Sequence, residues 1–334
     1  MRRLAVMTSG GDAPGMNAAI RAIVRKALYH GLEVVGVRRG FQGLIGGDFT
    51  EMRSRSVGDI LQRGGTILKS ARCDEFRTEE GRAKALLQLR TYEVDALVAI
   101  GGDGTFAGLS LLSRMGMPCV GIPATIDNDI ASTEYAIGFD TACNTVLEAI
   151  NKIRDTATSH ERTYVVEVMG RSSGNIALYT GLAGGAESIL IPEVEFDIRQ
   201  VCQNIMEGSR AGKTHSIVVV AEGADSRTRA SEAGGSLDGC GYRIGKQIAE
   251  HSGFDIRIIV LGHIQRGGAP SARDRILATT LGAKAVDVLL ADGRDVVLGI
   301  WGSDIKVIPF AEALATKRAY SSDYYDLAAI LSAP

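Results

Sequence analysis

The feature that most restricts the fold is a recurring one. Short apolar runs rich in Val and Ile close on polar turns, most of them with glycine, and helix-length spans separate them. The runs are Leu4–Met7, Val34–Val37, Asp95–Ile100, Pro118–Ile122, Tyr164–Val168, Ile189–Ile191, Ile217–Val220 and Ile256–Leu261. This alternation predicts parallel βαβ units, with ligands bound at the carboxyl ends of the strands. After the turn-rich loop Thr8–Gly15, the apolar stripe Met16, Ile20, Ile23, Ala27 predicts a helix over Met16–Tyr29. With 334 residues, 45% of them hydrophobic, the chain can bury a substantial core, and two α/β lobes are expected.

Composition narrows the partners. Lys and Arg number 37 against 39 Asp and Glu, a formal charge of −2, and aromatics are only 5%. With no basic tail and few rings to stack on bases, no nucleic-acid partner is expected. Cys73, Cys119, Cys143, Cys202 and Cys240 are scattered, odd in number and without a CxxC pair, so neither a disulfide framework nor a zinc site is expected. Met1-Arg2-Arg3 precedes an apolar run that breaks at Thr8-Ser9-Gly10, and no stretch is long enough to span a bilayer. The expectation is a soluble, cytoplasmic protein with no membrane partner.

Two strand ends carry the chemistry. Gly101-Gly102-Asp103-Gly104-Thr105 stands where a strand should turn into a helix. Glycines there let a phosphate approach backbone N–H groups at the positive end of the helix. Asp103 would repel that phosphate unless a Mg2+ ion lies between them. At the next strand end, Thr125-Ile126-Asp127-Asn128-Asp129 holds two carboxylates that share a face if the loop is extended. One would then act as base for an attacking hydroxyl and the other assist the metal. The plainer reading is an Asx-rich turn that only ends the strand.

Other stretches point less sharply. The Thr8–Gly15 loop offers a second phosphate-sized nest. Arg21 and Arg25 lie one turn apart on the helix that follows, a like-charge pair costing about 0.2–0.5 kcal/mol, and they make either a solvated face or an anion site. Met169-Gly170-Arg171, Ala221-Glu222-Gly223 and Gly262–Gly268 also follow strands. Two resemblances to nucleotide motifs fail on context. Gly208–Thr214 is one residue short of a Walker A loop and leads into a strand, and Gly102–Gly108 departs from the GxGxxG spacing. The polar stretch between Ala224 and Cys240 reads as an exposed excursion.

Taken in order, GGD, GGDGT, TIDND, MGR and GHIQRGG closely resemble bacterial ATP-dependent 6-phosphofructokinases over almost the whole chain. The resemblance implies two similar lobes, each a mainly parallel sheet flanked by helices. Residues 1–138 with 265–315 would form the ATP lobe, and 139–264 with 316–334 the fructose 6-phosphate lobe. It implies transfer of the ATP γ-phosphoryl group to fructose 6-phosphate in a cytosolic homotetramer with shared active sites. Gly11, Arg72, Cys73, Gly102, Asp103, Gly104 and Thr105 would line the ATP site, with Mg2+ held by Asp103 and Asp129. Asp127 would be the base, beside Thr125 and Ile126. Met169, Gly170, Arg171 and Glu222 would hold the sugar and the transferring phosphate. The 6-phosphate would meet Arg162, Arg257, His263 and Arg266, within the loop that includes Ile264 and Gln265.

The same resemblance implies an effector pocket for ADP or phosphoenolpyruvate from Arg21, Arg25, Arg55, Asp59, Arg154, Gly185, Glu187, Ala211, Lys213 and His215. Ser54, Ala211 and Thr214 stand where short bacterial members often carry basic residues, and Arg55 and Arg210 are their neighbours. Ala124 and Ser172 also depart from commoner choices. Pyrophosphate-dependent members typically have Asp where Gly104 stands and Lys where Ala124 stands, so ATP is the expected donor. A non-catalytic nucleotide sensor on the same fold is the alternative from another class; the intact set Asp103, Asp127, Asp129 and Arg171 speaks against it.

Overall fold

Leu4, Ala5, Val6 and Met7 are wholly buried and form the middle of strand β1 (Arg3–Thr8). The computed structural model describes residues 1–225 and 239–332. Over them the chain divides into two units. The first comprises Met1–Ile126, Ile130–Thr141 and Arg266–Arg318. The second comprises Asp127–Asp129, Ala142–Gln265 and Ala319–Pro334. The lobes expected from sequence changed over at 138/139, 264/265 and 315/316; the units change over at 141/142, 265/266 and 318/319, with 127–129 counted in the second.

The first unit contains β1, α1 (Met16–Tyr29), β2 (Glu33–Val37), α2 (Gly40–Gly46), β3 (Phe49–Glu51), α3 (Glu79–Thr91), β4 (Ala96–Gly101), α4 (Asp103–Arg114) and β5 (Cys119–Pro123). Its sheet is ordered β11-β10-β5-β4-β1-β2-β3 and is completed from the far end of the chain by β10 (Val296–Trp301) and β11 (Asp304–Pro309). Neighbouring strands run parallel except for β2–β3 and the β10–β11 pair. Every residue of β4 is buried, as a strand covered on both faces must be. One face packs Met7, Leu97, Phe106, Leu109 and Val297 into a single apolar cluster.

Helix α5 (Phe139–His160) leads to β6 (Thr163–Val168), α6 (Asn175–Gly184), β7 (Ser188–Leu190), α7 (Ile198–Arg210), β8 (Ser216–Ala221), α8 (Cys240–Ser252) and β9 (Ile256–Val260). These strands form a fully parallel sheet, β7-β8-β6-β9. Val165, Val218, Ile205, Ile244 and Ile248 make its core. The chain then adds α9 (Ala272–Leu290), β10 (Val296–Trp301), β11 (Asp304–Pro309) and α10 (Phe310–Ala313) to the first unit and α11 (Ser322–Ser332) to the second.

Helices α1 and α9 pack closely because Gly282 has no side chain: a Cβ there would lie 2.8 Å from the Ala19 carbonyl oxygen. Lys26 and Asp287 close the same contact with an ion pair at 2.8 Å. The Walker-like stretch Gly208–Thr214 runs from α7 toward β8, the reverse of the order a phosphate loop requires. Residues 226–238 of the polar excursion lie outside the described residues. At its near end, Asp225 is paired with Arg243 of α8.

Candidate active site

In the first unit, the ends of β1 and β4 place two glycine-rich turns side by side. Ser9 N–H donates to the Ile100 carbonyl at 3.0 Å, and a Cβ on Gly101 would lie 2.5 Å from the Ser9 oxygen and 2.3 Å from Thr105 Oγ1. Gly101 is therefore glycine for packing. Gly102 and Gly104 are different: a Cβ on either would meet nothing within 4 Å. Their missing side chains leave a cradle at the start of α4, where backbone N–H groups and the helix dipole favour an anion. Thr105 is buried, and Asp103, the first residue of α4, is exposed.

The loop after β1 completes this end. Gly10 (φ 85°) and Gly15 (φ 110°) take left-handed conformations, and Ser70 Oγ donates to the Gly10 carbonyl. Arg72 is exposed, while Cys73 is half-buried against the apolar cluster. Arg266, 8% exposed, donates from Nη1 to the Asp12 carbonyl at 3.0 Å, and its guanidinium packs on Gly11. Arg266 is counted with the first unit, and His263, Ile264 and Gln265 with the second. His263 and Ile264 are exposed.

The loop after β5 differs from its expected shape. Thr125 N–H donates to Ile137 and Ile137 N–H to Pro123, so the loop leaves and re-enters at the same strand end. Between the carboxylates the chain is not extended, because Asn128 has φ 47°. Asn is one of the few residues that takes this conformation readily. Asp127 and Asp129 therefore do not share a face: Asp127 is 4% exposed and Asp129 lies in solvent. Ser173 Oγ donates to the Asp127 carbonyl at 3.0 Å and Asn175 Nδ2 to the Asn128 carbonyl at 2.9 Å. Neither of these two anchoring residues was marked by the sequence pattern.

In the second unit, the turn after β6 presents Met169, Gly170 and Arg171. Gly170 (φ 142°) has no room for a side chain, since a Cβ would lie 2.2 Å from the Ser173 carbonyl oxygen. Arg171 has φ 53°, and Glu222 Oε1 accepts its N–H at 2.8 Å and that of Gly170 at 3.3 Å. Gln265, fully buried, accepts the Met169 N–H at 3.2 Å. Thus braced, Arg171 holds Nε 4.0 Å from Asp127 Oδ2 while two thirds of its side chain stays exposed. The strand pair β6–β9 brings Arg162 and Arg257 to one carboxylate, Asp255, at 2.9 and 3.1 Å. Asp255 was not marked in the sequence either.

The expected effector residues fall into two groups. In the first unit, Arg21 and Arg25 lie on α1, which packs on the turn Ser54–Val57 that carries Arg55. Asp59 (φ 54°) follows, accepting from Gln62. In the second unit, Arg154 donates to His215 Nε2 at 3.2 Å and to the carbonyls of Gly184 and Gly185. Lys213 Nζ lies 3.7 Å from Glu187 and donates to the Ser332 carbonyl. Burial, then the positive charge of Arg154, holds the His215 imidazole below its ordinary pKa, so it is neutral and accepts from arginine. Ala211 only caps the end of α7.

Among the described residues no group of three or more His, Cys, Asp or Glu is placed to hold a metal ion. Asp103 in the first unit and Asp129 in the second are each exposed carboxylates, the kind of oxygen ligand that Mg2+ takes while phosphate oxygens and water fill the rest of its shell. No helix among the described residues is long and apolar enough to cross a membrane.

Within the first unit the cradle is open to an anion, and within the second Arg171 is braced beside Asp127; each arrangement suits phosphoryl transfer. The chain belongs to the phosphofructokinase family, which matches residues 3–289. The ATP-dependent 6-phosphofructokinase of Halothermothrix orenii is 55% identical over 334 residues, covering 99% of this chain and 100% of that protein. The enzyme of the same name from Clostridium botulinum (strain Loch Maree / Type A3) is 54% identical over 332 residues, covering 99% and 100%. Among solved structures, phosphofructokinase from Saccharomyces cerevisiae aligns with a TM-score of 0.85 at 34% identity, over 94% of this chain and 45% of that one.

Proposed function

We propose that this chain transfers the γ-phosphoryl group of ATP to the 1-hydroxyl of fructose 6-phosphate, giving fructose 1,6-bisphosphate and ADP in glycolysis. The observation that carries the reading is Arg171 facing Asp127 across 4.0 Å on a turn braced by Glu222. The hydroxyl oxygen attacks the γ-phosphorus, its proton passes to the Asp127 carboxylate, and the bond to the β-phosphate oxygen of the leaving ADP breaks. Arg171 meets the charge that spreads over the equatorial oxygens. Thr125 and Ile126 border the reacting hydroxyl; Met169, Gly170 and Glu222 fix the sugar. Gly11, Arg72, Cys73, Gly102, Gly104 and Thr105 hold the nucleotide.

Asp103 and Asp129 would hold Mg2+, which supplies charge neutralisation to the phosphate chain when bound with ATP. Arg162, Arg257, His263 and Arg266 clamp the 6-phosphate. We read the active protein as a cytoplasmic homotetramer in which Arg162 and Arg257 serve a neighbouring copy. ADP or phosphoenolpyruvate binds the basic effector cluster.

The discriminating experiment is a coupled assay with fructose 6-phosphate, offering ATP or pyrophosphate at equal concentration and then adding ADP or phosphoenolpyruvate. Turnover with ATP and negligible turnover with pyrophosphate are expected. Comparable rates with both donors would overturn the donor assignment, and no turnover with either would return the chain to the sensor reading.

A further inference from the structure

We infer that Gly11 is a positioning residue for the sugar phosphate: its bare Cα fixes where the Arg266 guanidinium stands, so a loop that serves the nucleotide also sets affinity for the acceptor. The inference rests on reading Arg266 as part of the 6-phosphate clamp. A Cβ on Gly11 would lie 2.7 Å from Nη1, 3.2 Å from Cζ and 3.5 Å from Nη2 of Arg266. The guanidinium thus occupies the space that a Cβ on Gly11 would need. Its Nη1 is also tied to the Asp12 carbonyl at 3.0 Å, and the residue is 8% exposed, so the head is held from two sides by one loop.

Gly11 has no conformational reason to be glycine. Gly10 and Gly15 on the same loop have φ of 85° and 110°, which an alanine would resist; Gly11 is not among the positive-φ residues. Gly11→Ala therefore meets one obstacle, the end of a long side chain, which yields without disturbing the backbone. The fold survives and the guanidinium moves. Charge-assisted contacts to phosphate depend on the fork's placement, so a displaced head loses part of its grip on an anion.

The test is calorimetric titration of fructose 6-phosphate into the nucleotide-free full-length protein, for wild type, Gly11→Ala, Arg266→Lys and the double variant. Without nucleotide, a residue that served only ATP would have no effect. Gly11→Ala is expected to weaken fructose 6-phosphate binding roughly tenfold at unchanged melting temperature. In the Arg266→Lys background, which lacks the flat fork, the same change should add less than twofold. Affinity within twofold of wild type in Gly11→Ala, or an equal penalty in both backgrounds, overturns the inference while leaving the proposed reaction intact. Wild type that fails to bind fructose 6-phosphate overturns that reaction, and this inference with it.

Discussion

Asp274→Asn tests a buried carboxylate that no sequence motif had marked. Asp274 is 1% exposed in the first turn of α9; Oδ1 accepts the Gly138 N–H at 2.9 Å, and Oδ2 accepts the Thr141 N–H at 2.9 Å and the Thr141 hydroxyl. It thereby caps α5 from outside and pins the return leg of the loop that carries Asp127. Asparagine keeps one acceptor. If that oxygen faces Thr141, its amide NH2 confronts the Gly138 N–H, leaving a buried donor unmade at a cost of about 1–3 kcal/mol. With the weakening of the two remaining bonds, the loss should come to roughly 2–3 kcal/mol, or about 3–4 °C in Tm for a chain of this length.

The pH dependence has a definite sign. Burial pushes the Asp274 carboxyl above its ordinary range, and the bonds from Thr141 and Gly138 reverse this only in part. Between the ordinary and the raised value, the native state holds a proton that the unfolded state has released. Its contribution is fully present below the ordinary carboxylate pKa and is lost as pH rises through the raised value. The stability gap between wild type and Asp274→Asn, read from urea melts across the acidic range, should therefore narrow as pH rises. A gap that widens, or a variant as stable as wild type, would refute the reasoning.

Asp127→Asn keeps the shape of the base and removes its proton acceptor, so kcat should fall roughly 10²–10⁴-fold with little change in fructose 6-phosphate affinity; more than a third of wild-type turnover would eliminate Asp127 as the base. Gly104→Asp fits the fold without a clash, because a Cβ there meets nothing within 4 Å. Its carboxylate would stand in the cradle, and most ATP-dependent turnover should disappear; an unchanged ATP KM and kcat would contradict that. Arg25→Ala combined with Arg154→Ala should abolish the response to ADP and phosphoenolpyruvate while basal turnover stays largely intact. A wild-type effector response in that variant would reduce the cluster to a solvated face.

Where a strand is short and apolar, local sequence was enough: the runs at Leu4, Val34, Ala96, Cys119, Tyr164, Ile189, Ile217 and Ile256 all lie in strands, and α1 spans Met16–Tyr29. Two of the missed strands lack that signature. β3 has three residues, and β11 is an edge strand with most of its residues exposed. β10 carries Gly299 in its middle, required because a Cβ would lie 1.9 Å from the Ser132 carbonyl oxygen, a contact between distant positions. At the site, the glycine-rich turns were legible because their glycines stand together in short runs at the ends of apolar stretches. The turn at Asn128 was not, since Ser173 and Asn175 hold it from some 45 residues away. Asp255 reaches back to Arg162 and Asp274 to Gly138 and Thr141, far along the chain, and neither sits in a motif that local spacing marks.

The first unit is discontinuous, and this has a consequence during synthesis. β10 pairs with β5 through Val296 and Val120, about 175 positions apart. At roughly 5–20 residues per second, the free edge of β5 waits about 9–35 s on the ribosome for its neighbour. In that interval the main segment of the second unit, Ala142–Gln265, is fully made and free to fold. The nascent chain meanwhile carries an uncovered, wholly apolar strand, Cys119–Pro123, of the kind that recruits other chains edge to edge. Slow translation between codons 142 and 296 should therefore lower soluble yield without touching the finished enzyme.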